Sequence, residues 1–374
     1  MNAAQLRGQG TLEPMMIHEN VLLAPLTTLG VGGEARYFAE VRGEDEAREA
    51  VKFARARELP LFVLGGGSNL VVADTGWPGL VLKIAVGGIV SPSLQNASGS
   101  AVLFSVGAGV NWDDFVAFAV SQNCAGIECL SGIPGSVGGT PVQNVGAYGQ
   151  EVADTIESVR ALDIKPDTQE DRVVTLPKPA CGFRYRSSIF NRAAADGQAG
   201  RYVILQVNYR LKRGGAPCLK YADLQNHFAD MTSPPSLVDV RNAVREIRRS
   251  KGMLIMEGDP DARSAGSFFK NPVLSAAQFR TLSARAEAKG LAIPNYPALE
   301  AQHKVSAAWL VEHSGFRKGF VCGRAAISSK HALALINPGE ADARDIVALK
   351  DAIQQGVESA WGIRLEPEPV FVGF

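Results

Sequence analysis

The chain has 374 residues, enough for two or three domains, and its 38 basic residues balance its 38 acidic ones. This balance lacks the excess positive charge typical of nucleic-acid binders, so we expect no nucleic-acid partner. The five cysteines form no C-x-x-C pair, which argues against a disulfide framework or zinc site and favours a reducing compartment. No signal peptide or apolar run near the ~20 residues of a membrane span is found, so we expect a cytoplasmic protein without a membrane partner.

A run of three glycines follows the first predicted buried strand. Residues 1–18 are polar and aperiodic and predict a loosely ordered arm. A helix predicted over Asp45–Leu59 precedes a strand over Leu61–Leu64. The strand leads directly into Gly65-Gly66-Gly67-Ser68-Asn69, which we call the first glycine loop. It has neither the P-loop sequence nor the Rossmann spacing, and alone it fits a tight structural turn as well as a phosphate-binding loop.

The stretch from Gly126 to Gly149, which we call the second glycine loop, is dense in small residues and has no lysine or arginine. Its one carboxylate is Glu128. Glycine allows close approach of another group, and several backbone N–H groups directed at one point bind an anion. Long loops of this kind are uncommon unless functional, so a binding site is favoured over a solvated surface loop. The two glycine loops together suit a ligand with two phosphates, such as FAD.

The remaining chain mixes strands and helices. Strands are predicted over 155–164, 172–176, 202–211 and 332–336, with a charged turn at 165–171, and helices over 238–251, 275–290, 305–313 and 342–361. This mixture predicts an α+β fold. The helix over 238–251 carries several arginines near its end. From spacing alone, a solvated basic end that complements the helix dipole is favoured over a phosphate clamp.

Few side chains stand out in the sequence as candidates for a catalytic proton donor or base. The histidines are scattered outside the glycine-rich segments, and we expect each at the surface or in packing: His18, His227, His303, His313 and His331. Ser267 lies in a Gly-Ser-Phe-Phe turn, where a loop role is the ordinary one. Glu368 lies between two prolines in an extended segment, which is typical of a solvated edge.

Seven segments in order resemble the UDP-N-acetylenolpyruvoylglucosamine reductase family, a group of flavoenzymes of bacterial peptidoglycan precursor synthesis. The resemblance extends over residues 26 to 374 and excludes the arm. The segments are LTTLGVGG (26–33), LGGGSN (64–69), SGIPGSVGG (131–139), QNVGAYG (143–149), YRSSIF (185–190), AGSFFKNP (265–272) and LEPE (365–368).

The resemblance implies the FAD-binding fold of the vanillyl-alcohol oxidase (PCMH) type. Its two lobes would occupy about 19–85 and 86–250, with a substrate-capping loop near 214–235. An α+β substrate-binding domain would follow over 251–362, and a tail over 363–374 would return to the FAD site. Relatives with covalent flavin attach it through histidine or cysteine, whereas this chain has Ser68-Asn69, so we expect noncovalent FAD. We also expect a monomer.

The resemblance also implies a reaction. NADPH would pass hydride to N5 of FAD, and N5 would deliver it to C3 of the enolpyruvyl group of UDP-N-acetylenolpyruvoylglucosamine. Protonation of C2 would then give the D-lactyl ether of UDP-N-acetylmuramate. Ser267 would supply the proton, while Arg186 and a protonated Glu368 would stabilise the enol.

Further ligand contacts are implied by the same resemblance. Tyr221 matches the mobile-loop tyrosine that closes over the UDP part and defines a subclass. The implied substrate contacts are Tyr185, Tyr221, Arg248, Lys251 and Asn271, which reverses the solvated role that spacing favours for the basic helix end. The implied cofactor contacts are Gly65, Gly66, Gly67, Ser68, Asn69, Ser131, Gly135, Ser136, Gly138, Gly139, Asn144, Gly146 and Ala147. Val370 departs from the enterobacterial form, which has a basic residue there.

Two other functions remain as alternatives. A flavin oxidase or dehydrogenase of the same fold, acting on an alcohol or sugar, would keep both glycine loops but has no use for Ser267 and Glu368. A flavin- or nucleotide-binding module without turnover has no use for these residues or for Arg186. Oxygen consumption with candidate alcohols would separate the oxidase from the reductase.

Overall fold

The computed structural model describes residues 15–91, 100–164, 171–195, 200–297 and 302–374. Most of the predicted arm and of the predicted charged turn at 165–171 lies outside these ranges. The part of the arm that is described is not loose throughout, because the strand Ile17–Leu22 includes its last two residues and pairs with Glu34–Val41.

The first sheet places the first glycine loop. It has four strands, in the order Ile17–Leu22, Glu34–Val41, Trp77–Ile84, Leu61–Leu64. The last two pair in parallel, and the connection before Leu61–Leu64 is the helix Glu44–Ala56. Acidic residues fill the first turn of this helix, where they complement its dipole, and its alanine-rich face is buried. The loop therefore leaves the sheet at the carboxyl end of a parallel strand.

The second sheet is antiparallel and supports the second glycine loop. Its strands are, in order, Arg172–Pro177, Ile156–Asp163, Tyr202–Arg213, Ala101–Gly107 and Ile89–Val90, with Cys124–Ala125 pairing beside Tyr202–Arg213. The helix Trp112–Ser121 packs against this sheet, and the Phe115 ring lies 5.1 Å from the Tyr209 ring. The Asn111 side chain accepts a hydrogen bond from the N–H of Asp114 and caps that helix.

The second glycine loop is folded onto the sheet and is not a solvated loop. It forms short 3-10 turns and a small hairpin, at Glu128–Leu130, Val137–Gly139 and Gly146–Ala147 with Gln150–Glu151. Leu130 and Val137 are fully buried in the core beneath it. Small residues are thus used here for close packing as well as for backbone freedom.

The segment between the second sheet and the last third is helical. The helix Leu237–Ser250 begins with a capping box between Ser236 and Asp239. Two shorter helices, Ile189–Ala195 and Ala222–His227, were not predicted from the sequence. The second of these directly follows Tyr221.

The last third forms a separate core. One sheet has the order Ser264–Ser267, Ala334–Ile336, Ala325–Ile327, Val321–Cys322, and another has the order Val273–Leu274, His303–Val305, Asn295–Pro297. The helices are Ala276–Glu287, Ala307–Glu312 and Ala343–Trp361. Each lies inside its predicted range with trimmed ends.

The tail connects this core to the first glycine loop. Its strand Val370–Val372 pairs in parallel with Leu70–Val72, which follows that loop. The N–H of Glu368 donates to the carbonyl of Phe268 at 2.8 Å, so the tail also joins the segment that carries Ser267. In the described ranges, no helix combines the length and apolar character needed to cross a membrane.

Candidate functional site

A cleft of about 1180 Å³ lies where the two sheets, the last third and the tail meet. This volume exceeds the ~300–1,000 Å³ typical of a pocket for a small ligand, which suits a dinucleotide with a second ligand beside it. Of the predicted residues, those in its wall are Gly65, Gly66, Gly67, Ser68, Asn69, Gly135, Ser136, Gly138, Gly139, Gly146, Ala147, Tyr185, Arg186, Tyr221, Arg248, Lys251, Ser267, Asn271 and Glu368.

Two predicted cofactor contacts are not among the residues of the cleft wall. Ser131 is fully buried, and its hydroxyl donates to the carbonyl of Glu128 at 2.6 Å. The buried Asn144 amide donates to Glu151 Oε2 at 2.8 Å and to the carbonyl of Arg184 at 3.1 Å. Both side chains hold the backbone around the cleft in place.

The two glycine loops touch each other at the cleft wall. A Cβ atom at Gly66 would lie 2.4 Å from the Cα of Gly135, so only glycine fits there. Within the described ranges, the N–H groups of Gly66, Gly67, Ser68 and Ser136 donate to no acceptor. The Ser136 hydroxyl is also buried and has no partner in the described part of the chain. Such free donors converge on an anion, so these residues fit the two phosphates of FAD.

Asn69 joins the loops to the tail. Its amide donates to Gln143 Oε1 at 2.9 Å and to the carbonyl of Glu368 at 3.2 Å, while its own carbonyl accepts from the N–H of Val370 at 3.0 Å. These bonds fix the position of Glu368 relative to both loops. A substitution at Asn69 would therefore disturb the acid end of the site as well as the loop.

Arg186 and Glu368 form an ion pair inside the cleft. Arg186 Nε lies 3.0 Å from Glu368 Oε1, and a second guanidinium nitrogen donates to the carbonyl of Gly146 at 3.0 Å. Arg186 has a φ of 52°, an uncommon conformation for a long side chain, and such outliers cluster at functional sites. Burial raises the pKa of Glu368, although Arg186, Lys270 and Lys304 oppose the shift.

Ser267 lines the same cleft as this pair. It ends the strand Ser264–Ser267, where it pairs with Ala334, and no described residue forms a hydrogen bond with its hydroxyl. The hydroxyl is therefore available to a ligand. The next residue, Phe268, binds the tail through the N–H of Glu368, so Ser267 and Glu368 are held in register.

A lysine that the sequence did not single out completes this end of the cleft. Lys304 Nζ lies 3.9 Å from the centroid of the Tyr185 ring, a cation–π contact. Burial and the nearby Arg186 lower the pKa of Lys304, while Glu151 and Glu368 oppose the shift. Asn271 is close by, and its Oδ1 accepts the N–H of Ala307 at 2.9 Å.

A second part of the cleft wall, around Lys251, is also cationic. Lys251 Nζ contacts Asp223 at 2.5 Å, and the guanidinium of Arg248 donates to the carbonyls of Gly132 and Met253 at 3.0 and 2.6 Å. The Tyr221 ring lies edge-on to the Tyr148 ring at 5.3 Å. Neither basic residue is a freely solvated end of the helix, so the interpretation from spacing alone is wrong for both.

His331 was expected at the surface or in packing, but it lines this part of the cleft. Its Nδ1 accepts the N–H of Leu333 at 3.1 Å, which leaves Nε2 with the proton in the neutral ring. Burial, with Lys251 and Lys318, lowers the pKa of His331 to about 4. The ring is therefore neutral at pH 7 and can donate one hydrogen bond.

The buried carboxylate Glu128 organises the second glycine loop. It accepts hydrogen bonds from the N–H of Gly126 at 2.7 Å, from Gln150 Nε2 at 2.9 Å and from the N–H of Cys218 at 2.8 Å. Cys218 stands three residues before Tyr221. Glu128 thus ties the segment that carries Tyr221 to the glycine loop, a role that its position as the one carboxylate in that loop could have suggested.

Comparisons with known proteins agree with this geometry. Residues 35–169 match an FAD binding domain family, and residues 259–372 match the C-terminal domain family of UDP-N-acetylenolpyruvoylglucosamine reductase. The chain is 44% identical to the UDP-N-acetylenolpyruvoylglucosamine reductase of Thermobifida fusca, over 95% of this chain and 97% of that protein. The corresponding protein of Streptomyces avermitilis is 43% identical, over 94% and 93% of the two chains.

A solved structure gives the same result for the fold. The UDP-N-acetylenolpyruvylglucosamine reductase (MurB) from Thermus caldophilus superposes with a TM-score of 0.63 at 26% identity. The match covers 96% of this chain and 99% of that chain. The α+β fold with an FAD-binding region of the vanillyl-alcohol oxidase type, expected from the sequence, is therefore confirmed.

Proposed function

The chain belongs to the UDP-N-acetylenolpyruvoylglucosamine reductase family, and from this membership we propose how its cleft performs the reaction. It is an FAD-dependent oxidoreductase that uses NADPH to reduce the enolpyruvyl group of UDP-N-acetylenolpyruvoylglucosamine in peptidoglycan precursor synthesis. When bound, FAD carries hydride from NADPH to that group. The observation that carries the proposal is that Ser267, Arg186 and Glu368 meet in one cleft with both glycine loops.

Arg186 and Glu368 would bind and polarise the enolpyruvyl carboxylate. Addition of hydride at C3 places negative charge on C2, and this charge spreads into the carboxylate. The planar guanidinium of Arg186 suits a carboxylate, and its 3.0 Å contact with Glu368 Oε1 holds it in place. Burial favours the protonated form of Glu368, which can donate a hydrogen bond to the developing enol.

Ser267 would deliver the proton to C2. Ser267 lines the cleft, and no described side chain forms a hydrogen bond with its hydroxyl. A serine hydroxyl is a weak acid, but it needs to protonate only a carbon that has become strongly basic. The strand that carries Ser267 is joined to the tail, so the proton donor and the enol-stabilising pair keep a fixed geometry.

The UDP part of the substrate would occupy the part of the cleft around Lys251. Arg248 and Lys251 supply positive charge for a diphosphate, and Tyr221 covers them from the segment anchored by Glu128. We propose Tyr185 and Asn271 as further substrate contacts near the reacting group. The free N–H groups of the two glycine loops, with the Ser136 hydroxyl, would hold the FAD pyrophosphate noncovalently.

We further propose the division of the chain into an FAD-binding region over 19–250, a substrate-binding domain over 251–362 and a tail over 363–374. We also propose that the chain acts as a monomer. All five cysteines are free thiols, which supports a cytoplasmic location.

An anaerobic visible spectrum tests the reaction. The flavin band of purified protein with FAD should bleach on addition of NADPH. It should return when UDP-N-acetylenolpyruvoylglucosamine is added. Bleaching without recovery would point to another electron acceptor. A folded protein that binds no FAD would refute the proposal.

A further inference from the structure

Lys83 lies directly beneath the first glycine loop. It is on the strand Trp77–Ile84, where it pairs with Leu64, the residue that precedes the loop. Its side chain is partly buried, and its Nζ donates a hydrogen bond to the carbonyl of Gly65. Lys83 is not part of the cleft wall, whereas Gly65 and Gly66 are.

The bond from Lys83 fixes the direction of a peptide group. The peptide between Gly65 and Gly66 is trans, so its C=O and N–H point in opposite directions. A carbonyl held toward Lys83, behind the wall, turns the N–H of Gly66 toward the cleft. In the part of the chain that the structure covers, this N–H has no acceptor, and neither do those of Gly67 and Ser68.

The ammonium of Lys83 bonds the Gly65 carbonyl but has no counter-ion among the described residues. No described carboxylate lies within ion-pair distance of it, and the nearby Glu40 pairs with Arg42 at 2.6 Å. Burial lowers the pKa of Lys83, and Glu40 partly opposes the shift. Because a buried cation without a counter-ion is unfavourable, an anion bound in the loop above would relieve this cost.

We propose that Lys83 is a positioning residue for the pyrophosphate of FAD. It orients the Gly65-Gly66 peptide so that the loop's N–H groups face the phosphates, and it places a positive charge beneath them. It acts through the loop and does not touch the flavin ring. This inference rests on the FAD binding of the proposed function, and the test below separates the two.

The test compares two flavins on apoprotein. Binding of FAD and of riboflavin, which has the same ring system but no phosphate, is measured by flavin fluorescence for the wild type and for Lys83→Met. We expect the dissociation constant of FAD to rise by about 10- to 100-fold, as for loss of a charge-assisted bond. The dissociation constant of riboflavin should stay within about twofold, because the ring does not meet the loop's phosphate donors.

A matched control removes another partly buried lysine. Lys350→Met, on the helix Ala343–Trp361, removes an ammonium that contacts Asp351 and Gln354 and lies 5.7 Å from the centroid of the Phe371 ring, while Lys350 itself is not part of the cleft wall. It should change neither dissociation constant. If Lys83→Met fails to fold, Lys83→Gln replaces it. The amide keeps a donor without the charge, so a smaller but still selective loss of FAD affinity is expected.

Two results would overturn the proposal. One is unchanged FAD affinity in the folded Lys83 variant. The other is an equal loss of FAD and riboflavin affinity, which would mean that Lys83 only supports the local fold. Failure of the wild type itself to bind FAD would instead refute the proposed function.

Discussion

The contact between the two glycine loops predicts a selective defect in Gly66→Ala. The added Cβ would lie 2.4 Å from Gly135 Cα, 2.6 Å from its carbonyl carbon and 2.7 Å from Ser136 N. Carbon atoms pack best at ~3.5–4.0 Å, so the loops would have to separate by about 1 Å. All three atoms belong to the backbone, and no change of rotamer can relieve the overlap.

The free-energy cost of this overlap should lower FAD affinity more than it lowers the stability of the fold. Overpacking of this kind costs about 1–3 kcal/mol. In the apoprotein the loops can separate, so we expect a loss in unfolding free energy of only about 1 kcal/mol. FAD needs donors from both loops at once, so most of the cost is imposed on the complex, and its dissociation constant should rise by about 5- to 100-fold. Fluorescence titration of apoprotein with FAD, together with urea unfolding, measures both quantities.

Gly87→Ala is the matched control. A Cβ at Gly87 meets no atom within 4 Å, and Gly87 has no positive φ. This variant should bind FAD as the wild type does. Wild-type FAD affinity in Gly66→Ala, or a large loss of stability with unchanged affinity, would show that the contact between the loops does not shape the cofactor site.

Three further predictions concern the other parts of the cleft. In Ser267→Ala, NADPH should still bleach the flavin band. Recovery of the oxidised band with substrate, followed by stopped flow, should be slower by about 10²- to 10⁴-fold. Normal turnover would remove Ser267 from the mechanism. Glu368 keeps its proton to higher pH in the folded than in the unfolded protein, so the unfolding free energy should fall as pH rises above its ordinary pKa of 4.5. Glu368→Gln should flatten this fall. Urea unfolding of both proteins between about pH 4 and 7 gives the slope of unfolding free energy against pH, and equal slopes would contradict a raised pKa of Glu368. Glu128→Ala leaves the N–H of Cys218 without its acceptor, so KM for the UDP substrate should rise several-fold more than kcat falls; an equal change in both would argue against an anchor for Tyr221.

Residues carried by local motifs could be predicted from the sequence. The glycine loops can be recognised in the sequence because their backbone conformation requires glycine at fixed positions. Ser267 and Glu368 look ordinary by themselves, and only their place within ordered motifs assigned them a role. In the structure they line one cleft with Arg186, although Ser267 is 81 positions from Arg186 and 101 positions from Glu368.

Residues that act across the fold could not be predicted in this way. Lys83, Lys304 and His331 are single residues without a local pattern, and their roles depend on what the sheets bring next to them. Ser131 and Asn144 show the opposite case. They lie inside motifs rich in ligand contacts, yet their side chains bind the protein's own backbone, which sequence spacing cannot distinguish from binding a ligand.

The pairing of Val370–Val372 with Leu70–Val72 joins segments about 300 positions apart in the chain. During synthesis, Val370–Val372 must leave the ribosome before Glu368 can reach Arg186. Both glycine loops have emerged long before that. A nascent chain can therefore gain a flavin-binding half well ahead of its chemistry. Because closing so long a loop is slow, the last step of maturation should be the docking of this strand. Enzyme activity should then appear later than flavin binding in a timed translation reaction.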